Sequence, residues 1–517
     1  MHRLSAATSP ADLDAPNRPR NGGKPVFVTL AAGFVLCLSS AAAVASDPTP
    51  HPNAVVHVGQ IGQQDVPALP GSEPDTLVEP DVAVSPVNSD VAVAVAHDGR
   101  YATGGAVGIE YAWTHDGGAT WQHRPLPGLT FATGGPKRWI RASDPVAAFG
   151  PDGTAYVSTL LINAGCYGAV AVSRSTNGGQ TFTPPVLAHF TNTCTVSDDK
   201  NWLVVDNSDT SPHKGRLYQF WTPFLTDMFG NPDGSPQAMV YSDDHGRTWS
   251  SPVNVSPPHA NTQNSQPMLL PDGTIVDSYI DFGKFAASDG PEAAGLSQSL
   301  TGKSQAAPGK SQTVITTRIS TNGGRTWKAG GTITRDLGGG APGVRCCLPS
   351  ATTDAVTGQM YAVWSSQSDP TKVDLSSSSD GIHWSAPVVV NPRTSSKLTV
   401  NADVSARANI VAVSFGLTNA HTMGGRFAEQ NVAISHDGGA TFRPPVSVGP
   451  RSNYAYAAQA GGIFPGDYIG SAMANGRLYV VWCVSSKPKN PAAKYHQVLY
   501  GATFGGLKQP VSQAPVG

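Results

Sequence analysis

Residues 320–327 read STNGGRTW, and nearly the same phrase returns along the whole chain. THDGGATW stands at 114–121, STNGGQTF at 175–182, SDDHGRTW at 242–249 and SHDGGATF at 435–442, with a shortened SSDGIHW at 378–384. A phrase recurring at a spacing of about 60 residues marks a repeat architecture before it marks a chemistry. Around each copy a larger unit appears. It opens on an apolar stretch, as in EPDVAV (79–84), DPVAAF (144–149), KNWLVV (200–205), QPMLLP (266–271), LPSATT (348–353), NADVSA (401–406) and DYIGSA (467–472). A turn leads to a second strand such as VAVAVA (91–96) or RLYVVW (477–482); a third runs into the phrase and a fourth leaves it. Four antiparallel strands per unit predict an all-β fold, a β-propeller of seven blades with six as the alternative. The phrase itself is the turn between third and fourth strands. Its Asp or Asn accepts backbone N–H groups, its glycines supply positive φ, and its closing Trp or Phe packs back on the sheet.

Composition agrees with many short strands. Charged residues are only 14 % of the 517, while Gly (56) and Pro (43) supply turn punctuation throughout. A net charge of -2 leaves no electrostatic footprint for nucleic acid. Arg18, Arg20 and Lys24 precede the apolar run 26–45, which closes on Ala43-Val44-Ala45, so residues 1–45 read as a secretory signal peptide or, if retained, an N-terminal anchor. Residues 46–74 form a linker whose NAVVHVG (53–59) supplies an outer strand to the last unit and closes the ring. The propeller then spans 75–510, with a Ser/Gly/Ala/Lys-rich insertion at 283–312. Export would place the chain outside the cell or in the envelope, with no membrane span once the leader is removed. Of the remaining cysteines, Cys166 and Cys194 flank one repeat and suit a bridge. Cys346 and Cys347 form a vicinal disulfide, or one of them pairs with Cys483.

The pattern S-x-D-x-G-x-T-W resembles the Asp box, and its repetition over about 75–504 resembles the sialidase (neuraminidase) superfamily. That resemblance implies a glycan-acting propeller with an arginine triad, an Asp acid/base and a Tyr nucleophile with its Glu activator. The R-I-P arginine has no counterpart, since that place reads Val78-Glu79-Pro80; Ser265-Gln266-Pro267 stands where the activating Glu is expected. Tyr279-Ile280-Asp281-Phe282 occupies the place of the second arginine. Asp98, after the first unit's second strand, matches the acid/base; Arg345 matches a centre-reaching arginine; Tyr468 matches the nucleophile.

In a propeller the innermost strands start at a central funnel. The residue before each aligned proline position gives Glu79, Asp144, Lys200, Gln266, Leu348, Asn401 and Asp467. Glu79, Asp144 and Asp467 are candidate acid and base for glycoside hydrolysis, which needs two carboxylates. Lys200, Gln266 and Asn401 are candidate substrate contacts, with Trp202 and Tyr468 placed to stack on sugar rings. No cofactor is expected, a calcium ion held by funnel oxygens being the alternative. The expected function is a sialidase-like glycoside hydrolase of the cell exterior. The alternative is a non-catalytic propeller that binds carbohydrate or a cell-envelope protein.

Overall fold

The structure is a computed structural model and describes residues 54–163, 165–283, 313–391, 396–419 and 427–507. The expected leader, most of the insertion (284–312) and the final residues lie outside the described residues. No helix among the described residues is long and apolar enough to cross a membrane.

The named strands pair antiparallel in meanders of four, the third carrying an extra short strand Pro232–Gly234 on Leu217–Thr226. The first comprises Leu77–Val84, Ala92–Arg100, Ala106–Thr114 and Gln122–Pro125; the second runs from Arg141–Phe149 to Val186–Thr191. Only the pair Ala106↔Ala142 joins these two into one eight-stranded sheet. Later meanders open on Val196–Val205, Thr262–Leu269, Ser350–Thr353, Leu398–Arg407 and Gly470–Ala474. The last is completed by the N-terminal strand Ala54–Gly62, which pairs with Gln497–Gly505. Each opening strand contacts that of the next meander, and Gly470–Ala474 contacts Leu77–Val84, so the contacts return on themselves.

The core lies between the faces of successive sheets. Val93, Tyr111 and Trp113 of the first meander pack with Phe149, Val157 and Ala171 of the second; Val146 and Tyr156 of the second pack with Leu217 and Trp221 of the third. A strand covered on both faces needs no polar alternation, so Ala92–Arg100 is buried from end to end.

The repeated phrase is a hydrogen-bonded turn that also seals the seam between sheets. In the copy at 435–442, Ser435 Oγ donates to Asp437 Oδ1 (2.6 Å), Gly439 N donates to Ser435 Oγ (2.8 Å) and Thr441 N to Asp437 Oδ1 (2.9 Å). The copies at 114–121 and 242–249 repeat this set. The second glycine of the phrase is fixed by the neighbouring sheet. A Cβ on Gly118 would stand 2.2 Å from Thr503 Oγ1, and one on Gly179 2.4 Å from Val93 Cγ2, both at positive φ. The closing aromatic likewise meets the adjacent meander rather than its own: Trp121 sits edge-on to Tyr479 at 6.1 Å, and Phe182 to Tyr111 at 4.9 Å. Removing the accepting carboxylate strands several donors at one turn, so Asp437→Ala is expected to cost about 1–2 kcal/mol. The check is the urea midpoint, which should fall with the m-value unchanged.

Candidate functional site

Each opening strand carries, within its first half or just before it, one residue in the left-handed region. These are Glu79 (φ 54), Asp144 (φ 49), Lys200 (φ 45), Asn264 (φ 67), Cys347 (φ 87), Asn401 (φ 44) and Gly466 (φ 117). Five coincide with a break in strand register, such as that between Val78 and Asp81 or between Ser143 and Val146. A bulge of this kind interrupts pairing and re-aims the side chain. Left-handed backbone at a non-glycine residue is uncommon. Its recurrence in one place per repeat makes this a built ring.

Four expected ring positions hold: Glu79, Asp144, Lys200 and Asn401. The other three move. Pro267 pairs regularly with Asp277 and Gln266 with Ser278, so the bulge falls earlier, on Asn264. Gln266 is therefore not a central contact; its Oε1 accepts Ala351 N instead. Cys347 and Gly466 replace Leu348 and Asp467 because the proline spacing slips by one residue there.

The ring encloses a buried set of acids and bases. His97 Nε2 accepts the backbone N–H of Asp144 at 2.7 Å, which leaves that nitrogen without a proton of its own. Glu79 Oε2 lies 3.1 Å from the same nitrogen and Asp144 Oδ1 3.8 Å from it. Burial pushes the imidazole down to about 4, against the pull of Asp144. Burial, then Asp144 and Asp467, hold Glu79 well above the ordinary carboxylate range. These facts agree on a neutral His97 facing a Glu79 carboxyl whose proton affinity burial raises.

Lys200 is clamped by aromatic rings. Its Nζ lies 4.2 Å from the Trp202 ring centroid and 3.8 Å from that of Tyr468, and the rings meet edge-on at 6.0 Å. Burial lowers the lysine pKa while Asp144 and Glu79 raise it. Tyr468 donates its O–H to Pro145 O at 3.3 Å, and burial holds its phenol well above the usual range. That phenol ring packs against the Lys200 ammonium.

Arg345 reaches the centre and closes on Asp467, with Nε at 3.1 Å and a terminal nitrogen at 2.6 Å. Its guanidinium also covers the Phe464 ring, as does that of Arg100 from another side. Asn401 is spent on the frame: Oδ1 accepts Cys347 N at 2.8 Å and Nδ2 donates to Gly466 O at 2.9 Å. Cys346 and Cys347 are bridged to each other beside it, Cys166 is bridged to Cys194, and Cys483 is a free, buried thiol.

Asp98 does not join this set. Strand alternation sends His97 inward and Asp98 to the opposite face, where its carboxylate accepts Asp65 N and Val66 N. The inward partner, His97, is the residue that proline-based alignment misses. Asp81 and Asp403 are also missed. Each lies two residues beyond a ring position and stitches adjacent meanders: Asp81 accepts Ala147 N (2.8 Å), Asp403 accepts Ser350 Oγ and Ser471 Oγ (both 2.5 Å).

Glu79, His97 and Asp144 bring one ligand-type atom each within 4.8 Å of one another. The donor set does not fit the calcium alternative. Calcium takes six to eight oxygens, whereas the nitrogen here already accepts a backbone N–H and Lys200 stands alongside.

With the turn chemistry in view, a family model described as BNR/Asp-box repeat matches residues 240–251, which hold the whole third copy of the phrase. Residues 240–251 thus carry an Asp-box repeat. The full-length copies elsewhere, with the same turn bonding through Asp or Asn, carry the chain's resemblance to the sialidase superfamily. No curated protein matches this Asp-box chain in sequence. Among solved structures, a protein of unknown function from Dyadobacter fermentans is similar at 13 % identity and TM-score 0.45, over 87 % of this chain and 100 % of that one. A Hadza microbial sialidase is similar at 14 % and 0.45, over 87 % and 94 %. An α-L-arabinofuranosidase from Fusarium graminearum is similar at 12 % and 0.43, over 70 % and 93 %.

Proposed function

We propose that the chain is an exported seven-bladed Asp-box propeller that acts on glycans as a glycoside hydrolase, with Glu79 as the proton donor. The observation that carries this reading is the buried Glu79 carboxyl, its proton affinity raised by burial, Asp144 and Asp467, set 3.1 Å from a His97 nitrogen that carries no proton. Glycoside hydrolysis needs two carboxyls, one of them held neutral to give up its proton. Asp144 is the partner carboxylate. The backbone N–H of Lys200 donates to Asp144 Oδ2 at 3.1 Å and fixes it. Because Arg345 is engaged by Asp467, the site favours neutral sugars over an acidic one. The seven blades are supported by seven ring positions and by the returning contacts of the opening strands. Export is supported by the two disulfides, which belong to an oxidising compartment.

The test is turnover of a panel of natural disaccharides and nitrophenyl glycosides by wild type and Glu79→Gln. The variant is expected to lose about 10²–10⁴-fold in kcat on natural linkages and far less on nitrophenyl leaving groups, which need no proton. Because ionised Glu79 cannot donate, wild-type activity should also fall as pH rises through its elevated pKa. Equal activity in wild type and variant removes Glu79 from the role.

A second reading, a glycan-binding propeller without catalysis, is favoured by the burial of the ring: Glu79 is 5 % exposed, Asp144 7 % and Lys200 2 %. Glycan binding without turnover by any panel member selects it.

A further inference from the structure

Away from the ring, the first meander holds a second cluster that the proposed hydrolysis does not use. His123 Nδ1 lies 2.8 Å from Asp65 Oδ2 and 2.7 Å from Glu110 Oε1. One ring proton can satisfy one of these carboxylates, not both. Glu110 is fully buried, and its second oxygen has no hydrogen-bond partner. Asp98 adds a third acid on the same face. In the ladder it stands opposite Gly108 while Glu110 stands opposite Ala96, which makes the two diagonal neighbours. Asp98 is also fully buried with one oxygen unpartnered, and its other oxygen accepts the N–H groups of Asp65 and Val66. Buried carboxylates facing one imidazole lack positive charge, and among the described residues no Lys or Arg pairs with any of them.

We propose that Asp65, Glu110 and His123 bind a divalent transition ion, Zn2+ by their donor set, that clasps the segment following the N-terminal strand to the first meander. One imidazole nitrogen with two carboxylate oxygens suits a first-row transition ion, whereas calcium prefers oxygen alone. The three donor atoms lie within 4.8 Å of one another, and donors around a tetrahedral zinc stand about 3.3 Å apart, so closure onto an ion needs only small side-chain shifts. Unlike His97 Nε2, His123 Nδ1 has no backbone N–H directed at it, so its lone pair is free once the proton leaves. Glu110 is held by a central strand and Asp98 fixes the Asp65 backbone, giving the ligands outer support. The side chains of His123 (28 % exposed) and Asp65 (26 %) leave one side open for a water ligand and for ion entry. The clasp ties Asp65, just beyond Ala54–Gly62, to the strands Ala106–Thr114 and Gln122–Pro125. It thereby fastens the first meander to the strand that completes the last.

The test uses the untagged full-length chain, stripped with EDTA and dialysed, titrated with Zn2+ while bound metal and melting temperature are measured. One ion per chain and a rise in melting temperature are expected. His123→Ala and Glu110→Gln should each weaken uptake more than about a hundredfold, beyond the cost of an outer-support change, with unaltered circular dichroism. If Glu110→Gln does not fold, His123→Ala carries the test, since its side chain is partly exposed. No uptake by the wild-type chain overturns the proposal, as does uptake unchanged in the variants. An equal rise with Ca2+ that survives His123→Ala overturns the transition-ion assignment.

Discussion

Raising the pH from about 4 to about 7 is expected to destabilise the fold by several kcal/mol. The cause is the ring of carboxyls buried with too few cations. Burial pushes Asp81 to about 7, against two backbone donors and with help from Asp403. Burial and Asp144 push Asp199 to about 7, and burial pushes Asp403 to about 6. In the unfolded chain these groups return to 3.8. Between the two values the folded state holds more protons than the unfolded one, so stability falls as pH rises. The contribution is complete below the unfolded value and is lost once pH passes the folded value. For Asp81 alone it amounts to about 4 kcal/mol. His97 opposes this, because its lowered pKa makes the unfolded state the better proton binder between about 4 and 6.5. One imidazole does not outweigh three carboxyls. Below pH 4 the sign reverses at the surface: the turn carboxylates Asp116 and Asp244, held down to about 2 by their Thr and backbone donors, lose those bonds as they protonate. The result is a stability maximum near pH 4–5 by the same linkage. Calorimetric melting temperatures from pH 3 to 8 check it. Asp81→Asn should flatten the descent between 4 and 7, and a wild-type melting temperature that is flat or rising across that span would remove the argument.

The sequence makes the repeat plain because the turn phrase depends on local chemistry. Ser, Asp and Gly are required by backbone geometry within eight residues, so the pattern persists wherever the turn does. The same logic reaches four ring positions, where a bulge and a proline or its equivalent travel together. It fails in the fourth meander because Pro267 sits in regular pairing, and nothing in QNSQP distinguishes a bulge at Asn264 from one at Gln266. Whether Asp98 or His97 faces the centre is decided by strand register, which reads equally well from either residue. Pairing of Arg345 with Asp467 spans 122 residues and needs the ring to be closed before it exists. Local rules write the turns; only the assembled sheets write the site.

Breaking that pair should be the most damaging single change at the ring. Arg345→Met is expected to cost about 3–5 kcal/mol, because it leaves Asp467 charged and nearly buried without its partner. The arginine side chain is 18 % exposed and the aspartate 11 %, so water can make good only part of the loss. Phe464 also loses the guanidinium that covers it at 4.7 Å. The double variant Arg345→Met/Asp467→Asn should recover most of the stability, since it removes the stranded charge rather than one half of a pair. Urea unfolding of the four species gives the coupling energy, and equal losses in the single and double variants would show that packing, not charge, is what matters. The pair also bears on chemistry. Arg345 pulls the proton affinity of Glu79 down and Asp467 pulls it up more strongly, so within the intact pair the two oppose each other. Arg345→Met leaves only the upward pull. The alkaline limb of any Glu79-dependent activity should then move to higher pH, and in the double variant, with both charges gone, it should return toward the wild-type position. A limb that does not move in the single variant would place Arg345 outside the electrostatic reach of Glu79 and confine it to holding the ring closed.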